Sequence, residues 1–287
     1  WDGYAQDTFD GLGSHTTSGG ATPSATATGP TPTPTATATP LPPSTVMQVQ
    51  GAAHKSPLEG VLVNNVPGIV TALKNNGFTL QDPTGDGNPD TSEAVFVFTS
   101  SAPTVAVGDS VRVTGTVTEF YPGGYSSGNL STTEIANPGL VVTKLSGGNP
   151  LPAATVLGTG GRIPPDTIIE DDASGNVETA VFDPATDGID FYESLESMRV
   201  QINSALVVGP TNFYGETAVV GDLGAHAGNF TPRGGLILRA NDYNPERILI
   251  DDTLLVLPTL NLGDTFTAPI VGVMDYSFGN FKLDVTD

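Results

Sequence analysis

The side chains best suited to chemistry in this chain are oxygen ligands in one loop, three scattered histidines and a few aromatics near turns. Asp82, Asp86, Asn88, Asp90 and Glu93 crowd around Gly85 and Gly87, the kind of loop that wraps Ca2+. The spacing departs from the full twelve-residue pattern of an EF-hand, and Asp and Asn also favour turns with no metal present. Glu170-Asp171-Asp172 and the set Asp183, Asp187 and Asp190 are weaker candidates, for which a solvated acidic loop is the default. His15, His54 and His226 have no second His or Cys at zinc-ligand spacing, so each reads as an exposed or locally hydrogen-bonded imidazole. No nucleophile elbow, Walker loop or dinucleotide-binding glycine pattern is present, and no catalytic residue is assigned. For ligand contact the candidates are Phe78, Tyr121 and Tyr125, because small barrels bind across their second and third strands and flanking loops. Phe96 and Phe98 share one strand face and read as core.

Short strands must position these groups. The chain has 35 glycines and 24 prolines in 287 residues, which punctuate strands and turns more readily than they tolerate helix interiors. Residues 66–73, the turn at Asn75-Asn76-Gly77 and residues 78–81 read as a hairpin, with Asn-Gly supplying the positive φ of a tight turn. Strands follow at 94–98, 109–118 and 139–145, giving five in about 90 residues, the content of a small OB-type barrel. The second half repeats the plan. Val107-Gly108-Asp109 corresponds to Leu262-Gly263-Asp264, Glu119-Phe120-Tyr121 to Asp275-Tyr276-Ser277-Phe278, and 68–82 loosely to 202–222. The expectation is an all-β chain with two OB-like barrels in tandem, an internal duplication, over 46–148 and 149–287. Residues 146–190, rich in Gly, Pro and Asp, are expected to wrap around one barrel. Residues 17–45 are Thr, Ser, Pro, Ala and Gly except for Leu41, a disordered stalk that spans up to roughly 90 Å when extended. Residues 1–16 then read as the tail of a truncated upstream domain.

Charge narrows the partners. Lys and Arg number 10 against 31 Asp and Glu, a formal charge of −21, and residues 1–45 hold three of the acids and no base. Such a chain repels polyphosphate at long range, so direct nucleic-acid binding is expected to be weak at best. Cysteine is absent, which removes disulfide and thiolate chemistry. No apolar run is long enough for a membrane span. The chain opens on Trp1 and reads as a fragment, with any signal peptide upstream.

One ordered set of motifs adds a family. Val49-Gln50-Gly51-Ala52-Ala53-His54-Lys55-Ser56-Pro57-Leu58-Glu59-Gly60 is followed by 66–72, 76–83 and 107–117. Phe182-Asp183-Pro184, Asp187-Gly188-Ile189-Asp190-Phe191-Tyr192-Glu193-Ser194-Leu195-Glu196 and Asn241-Asp242-Tyr243-Asn244-Pro245-Glu246-Arg247-Ile248 complete it. Together, over residues 46–287, they resemble the region preceding the catalytic domain in ExeM/NucH-like extracellular nucleases of the endonuclease/exonuclease/phosphatase family, which begins with a YhcR-type OB-fold. The resemblance implies a secreted or cell-surface bacterial nuclease hydrolysing DNA or RNA. Its metal-dependent domain, using Mg2+ or a similar ion, would follow Asp287. The chain itself would be the non-catalytic accessory or substrate-presenting region, with that catalytic domain as partner. The family's Gln-Glu and Ser-Asp-His motifs are missing, and Asn241-Asp242-Tyr243-Asn244 mimics its Gly-Asp-Phe-Asn with no histidine after it, as a turn closed by Pro245 would. The alternative is an extracellular glycan- or surface-binding module, or a spacer, with no nuclease attached.

Overall fold

A computed structural model describes residues 44–287; the expected upstream tail and stalk lie outside the described residues except for Ser44 and Thr45, of which Thr45 belongs to the folded region as a helix cap. The described residues form one compact unit. It begins with the short helix α1 (Val46–Gln50), whose Thr45 hydroxyl and Gln48 side chain form a reciprocal capping box. α1 sends Val46 and Val49 into the core of the first barrel.

That barrel consists of β1 (Leu62–Lys74), β2 (Gly77–Gln81), β3 (Ala94–Phe98), β4 (Ser110–Phe120) and β5 (Thr132–Ser146), closed in the order β1-β2-β3-β5-β4. The first half of β1 pairs with β4 and its second half with β2, so one long strand seals the ring. β3 and β5 run parallel, and every other neighbouring pair is antiparallel, which is OB connectivity. Alternation in β4 buries Val111, Val113 and Val117 against Val95, Val97 and Ile135. The β1–β2 turn forms at Asn75-Asn76, yet neither these residues nor Gly77 takes a positive φ. Gly77 is needed for another reason: a Cβ there would stand 2.3 Å from the Val97 carbonyl and 2.4 Å from the Phe96 ring.

After β6 (Thr155–Leu157) and α2 (Gly188–Glu193) come β7 (Arg199–Ile202), β8 (Leu206–Val207), β9 (Thr217–Val220), β10 (Ile248–Asp251), β11 (Ile270–Ser277) and β12 (Asn280–Val285). Their sheet runs β6-β7-β11-β12-β10-β9-β8. β7 and β8 are far apart in this order but only Asn203, Ser204 and Ala205 separate them in the chain, with Ser204 at φ 46°. They are the two halves of one bent strand: β7 pairs with β11 and β8 with β9, as the halves of β1 pair with β4 and β2. β10 and β12 run parallel, as β3 and β5 do. The second sheet is therefore the same barrel opened at one seam, where the first is a continuous ring.

The duplicated Gly-Asp pairs make the correspondence explicit. The Gly108 N–H donates to the Val70 carbonyl and the Val70 N–H to that of Asp109, both at 2.9 Å; Gly263, Val207 and Asp264 repeat both bonds at 2.9 Å. In each copy the aspartate Oδ2 also accepts an N–H three residues upstream, from Ala106 at 2.9 Å and Asn261 at 2.7 Å. Gly108 and Gly263 sit at φ 82° and 90°, where glycine is favoured. Gly108-Asp109 clips the start of β4 onto β1, and Gly263-Asp264, in the segment leading to β11, makes the same clip onto β8.

The 146–190 connection does not wrap a single barrel. Its Ile168 and Thr167 carbonyls accept N–H bonds from Gly188 and Tyr243 on the second side, while Glu178 ion-pairs with Lys55 on the first. No helix among the described residues is long and apolar enough to cross a membrane.

Candidate functional site

The most unusual chemistry lies where the barrels meet. α2 and the turn after it thread Asp190, Glu193 and Glu196 into this junction, all buried. His54 reaches them from the segment after α1, with Nε2 at 2.7 Å from Asp190 Oδ1 and Nδ1 at 3.8 Å from Glu193 Oε2. Its ring meets Phe182 edge-on. Burial pulls this imidazole down, but the hydrogen bonds and charges of Asp190 and Glu193 outweigh it and push its pKa up to about 10. His54 is thus a buried imidazolium, unsuited to accept a substrate proton. Both Glu196 oxygens accept the Thr133 N–H, at 3.0 and 3.2 Å, and its backbone carbonyl accepts the Ser92 hydroxyl at 2.6 Å. Burial, then the nearby Glu193 and Glu119 carboxylates, push the Glu196 carboxyl well above the usual range. Gln81 accepts the Arg199 N–H, Tyr276 accepts the Leu130 N–H, and Lys74 bridges Asp275 and Asp284 at 2.9 and 2.8 Å.

This packing lies against one face of the first barrel. A cleft of about 290 Å3 runs along β3 and β5, lined by Lys74, Phe96, Phe120 and Glu134, with Asp275 and Tyr276 of β11 as its far wall. OB-folds bind ligands across this region. Here the face is acidic and half closed. Burial, then Asp275 and Glu119, push Glu134 up to about 7. Because the folded pKa exceeds the unfolded one, Glu134 favours folding below about pH 4.5, and that contribution is lost as pH rises through 7. Glu134→Gln is therefore expected to match wild type at pH 4 and to be more stable by about 2–3 kcal/mol at pH 8, measured by urea unfolding across pH.

The expected calcium loop is used by its own backbone. Asp82 Oδ1 accepts the N–H groups of Thr84 and Gly85, Asp86 Oδ1 that of Asn88, and Asn88 Oδ1 that of Asp90. Glu93 folds over Gly85, its pKa raised by burial and then by Asp86 and Asp82. Instead, the described residues bring one group of acidic side chains to metal-ligand spacing: Asp183, Asp187 and Asp190, each with an atom within 4.8 Å of the others. Asp187 is the N-cap of α2 but makes no capping hydrogen bond with its side chain. Burial, then the Asp183, Asp171 and Glu170 charges, push it up to about 6.

The aromatic candidates separate. Phe78 lies fully inside the first barrel, so no base or sugar can stack on it, and that assignment is corrected. β2 places it inward because the β1–β2 hairpin faces its apolar side chains to the ring. Tyr121 is held in place, its hydroxyl on Glu178 Oε2 at 3.0 Å and Lys55 over its ring. Tyr125 packs edge-on against it and is 80% exposed. The sequence reading missed Phe213 and Tyr214, 95% and 77% exposed, on the β8–β9 loop that matches the first barrel's β1–β2 turn. Two adjacent aromatics between Pro210 and Gly215 were the available signal.

Among the described residues, hydrolytic constellations do not assemble from His54 or His226. Thr159 Oγ1 and Asp222 Oδ2 both approach His226 Nε2, at 2.9 and 3.4 Å. A relay needs opposite ring nitrogens for nucleophile and acid, so this is not a triad. In the Asn241–Asn244 turn, Asp242 accepts the Asn244 N–H and Asn244 donates to the Ile237 carbonyl, so these side chains fasten their own loop.

The second barrel has a family likeness. Residues 156–287 match a family described as a domain of unknown function (DUF8508). The match begins inside β6 and takes in α2, the acidic trio and all of the second sheet but Thr155. A search of curated proteins finds no match.

Proposed function

We propose that residues 46–287 form a non-catalytic accessory module of a secreted nuclease, setting the position of a metal-dependent phosphodiester-cleaving domain that follows Asp287. The observation that carries this reading is the use of one face of the first barrel as an internal joint, with the resembling motif 187–196 buried inside it. A module built to present DNA would leave that face open and cationic. Five of the ten bases (Lys55, Lys74, Lys144, Arg199 and Lys282) are ion-paired within the molecule, which further weakens attraction for phosphate. Positioning is therefore favoured over substrate presentation. The ordered motifs of 46–287 supply the nuclease context.

The test is to incubate the purified chain with linear DNA, circular DNA and RNA in Mg2+ or Ca2+. The expected result is no cleavage above a mock preparation and no retarded band at low salt. Cleavage that co-purifies with the chain and is lost in a His54 or His226 variant overturns the reading.

A second reading, an extracellular binding module, is favoured by the exposed Phe213–Tyr214 pair, whose rings meet edge-on at 5.5 Å. Glycan binding that disappears in Phe213→Ala and Tyr214→Ala but persists in Tyr125→Ala supports it. Silence across a broad glycan array counts against it.

A further inference from the structure

The buried oxygens around α2 have more acceptors than the protein has donors to give them. Asp187 is fully buried, and its Oδ1 meets no N–H or O–H among the described residues. Asp183 Oδ1 and Glu170 Oε2 are likewise buried without a donor. No lysine or arginine ion-pairs with Asp183, Asp187 or Asp190 in the described region; the one cationic partner is His54, on Asp190. A buried carboxylate oxygen with no donor is expensive, of the order of several kcal/mol for a charged group. One ligand atom from each of Asp183, Asp187 and Asp190 lies within 4.8 Å of the others, and the N-cap aspartate makes no capping hydrogen bond: its Oδ2 accepts the Asp171 N–H at 3.3 Å, which leaves Oδ1 without a donor.

We propose that Asp183, Asp187 and Asp190 bind one Ca2+ ion, with the orphaned oxygens of Asp183 and Asp187 as its central ligands. All the donors are hard oxygens from carboxylates, which suits Ca2+ and disfavours Zn2+ and Cu2+. The ligands come from a loop and the first turn of a helix, an irregular set that Ca2+ tolerates better than Mg2+, which demands octahedral geometry. His54 Nε2 lies 2.7 Å from Asp190 Oδ1, beside the proposed site. The ion would tie the 158–187 connection to α2, and through α2 to the interface between the barrels. This site is independent of the nuclease reading, since it asks nothing of a domain beyond Asp287.

The test uses the full chain after EDTA treatment and dialysis, titrated with CaCl2 by calorimetry, with melting followed by circular dichroism. The expected result is one Ca2+ bound per chain and a higher Tm, with tenfold Mg2+ failing to displace it. Asp187→Asn weakens binding at least tenfold, and Asp86→Asn, in the other acidic loop, leaves it unchanged. Asp183→Asn, at a half-buried position, decides the matter should Asp187→Asn not fold. The proposal is overturned by a folded wild-type chain that takes up no Ca2+. Undiminished binding in the folded Asp187→Asn or Asp183→Asn variant, or loss only in Asp86→Asn, overturns it equally.

Discussion

Replacing His54 by alanine is expected to lower the unfolding free energy by about 3–5 kcal/mol, measured by urea denaturation at pH 7 in EDTA. The imidazolium is the sole cation within ion-pair distance of Asp190 and Glu193 among the described residues, and all three side chains are buried. Removing it strands two carboxylates and opens space beside Phe182. The loss is large because the remaining charges cannot reach water, not because the pair is intrinsically strong. His54→Gln keeps a donor for Asp190 and should recover part of the loss. A fall of less than about 1 kcal/mol in the alanine variant would show that the carboxylates relax or take up protons at little cost.

The second large effect separates two substitutions at one position. Glu196→Ala is expected to cost about 3–4 kcal/mol, because it removes a buried side chain and leaves the Thr133 N–H without its acceptor. Glu196→Gln is expected to stay within about 1 kcal/mol of wild type. Burial, with the Glu193 and Glu119 charges behind it, pushes the carboxyl well above its ordinary range and so favours the neutral form, and an amide of the same shape still accepts from Thr133. Equal losses for the two variants in urea titrations would mean that Glu196 is ionised in place. The His54 and Glu196 effects should not add, since both residues interact with Glu193.

Legibility in the sequence followed how each residue is used. β3 was found at its true ends and β4 nearly so, β4 by its alternation; the apolar run of β3 did not tell its faces apart, since Val95 and Val97 enter the core, whereas Phe96 and Phe98, expected there, are half-buried and Phe96 lines the cleft. The repeated Gly-Asp pairs pointed to the duplication because a positive φ and a carboxylate acceptor leave a local signature. β5, by contrast, starts at Thr132 rather than near Gly139. Its first residues are polar yet buried, since Thr133 and Glu134 face the second barrel, and a polar pattern there looks like loop. His54 gave no hint of its partners, as 136 positions separate it from Asp190 and only the tertiary fold joins them. The trio 183, 187 and 190 looked solvated for the same reason: nothing local tells a buried carboxylate from an exposed one. Gly77 shows the converse case, a residue placed correctly beside the turn but required by the closeness of Phe96.

The account stands on the two barrels being one mechanical unit, joined through a buried polar seam rather than hung on a linker. Scanning calorimetry of the chain tests this directly. One transition, with a van 't Hoff enthalpy equal to the calorimetric enthalpy and a single shift in Glu196→Ala, is the expected result. Two resolved transitions, with only one of them moved by that substitution, would contradict it.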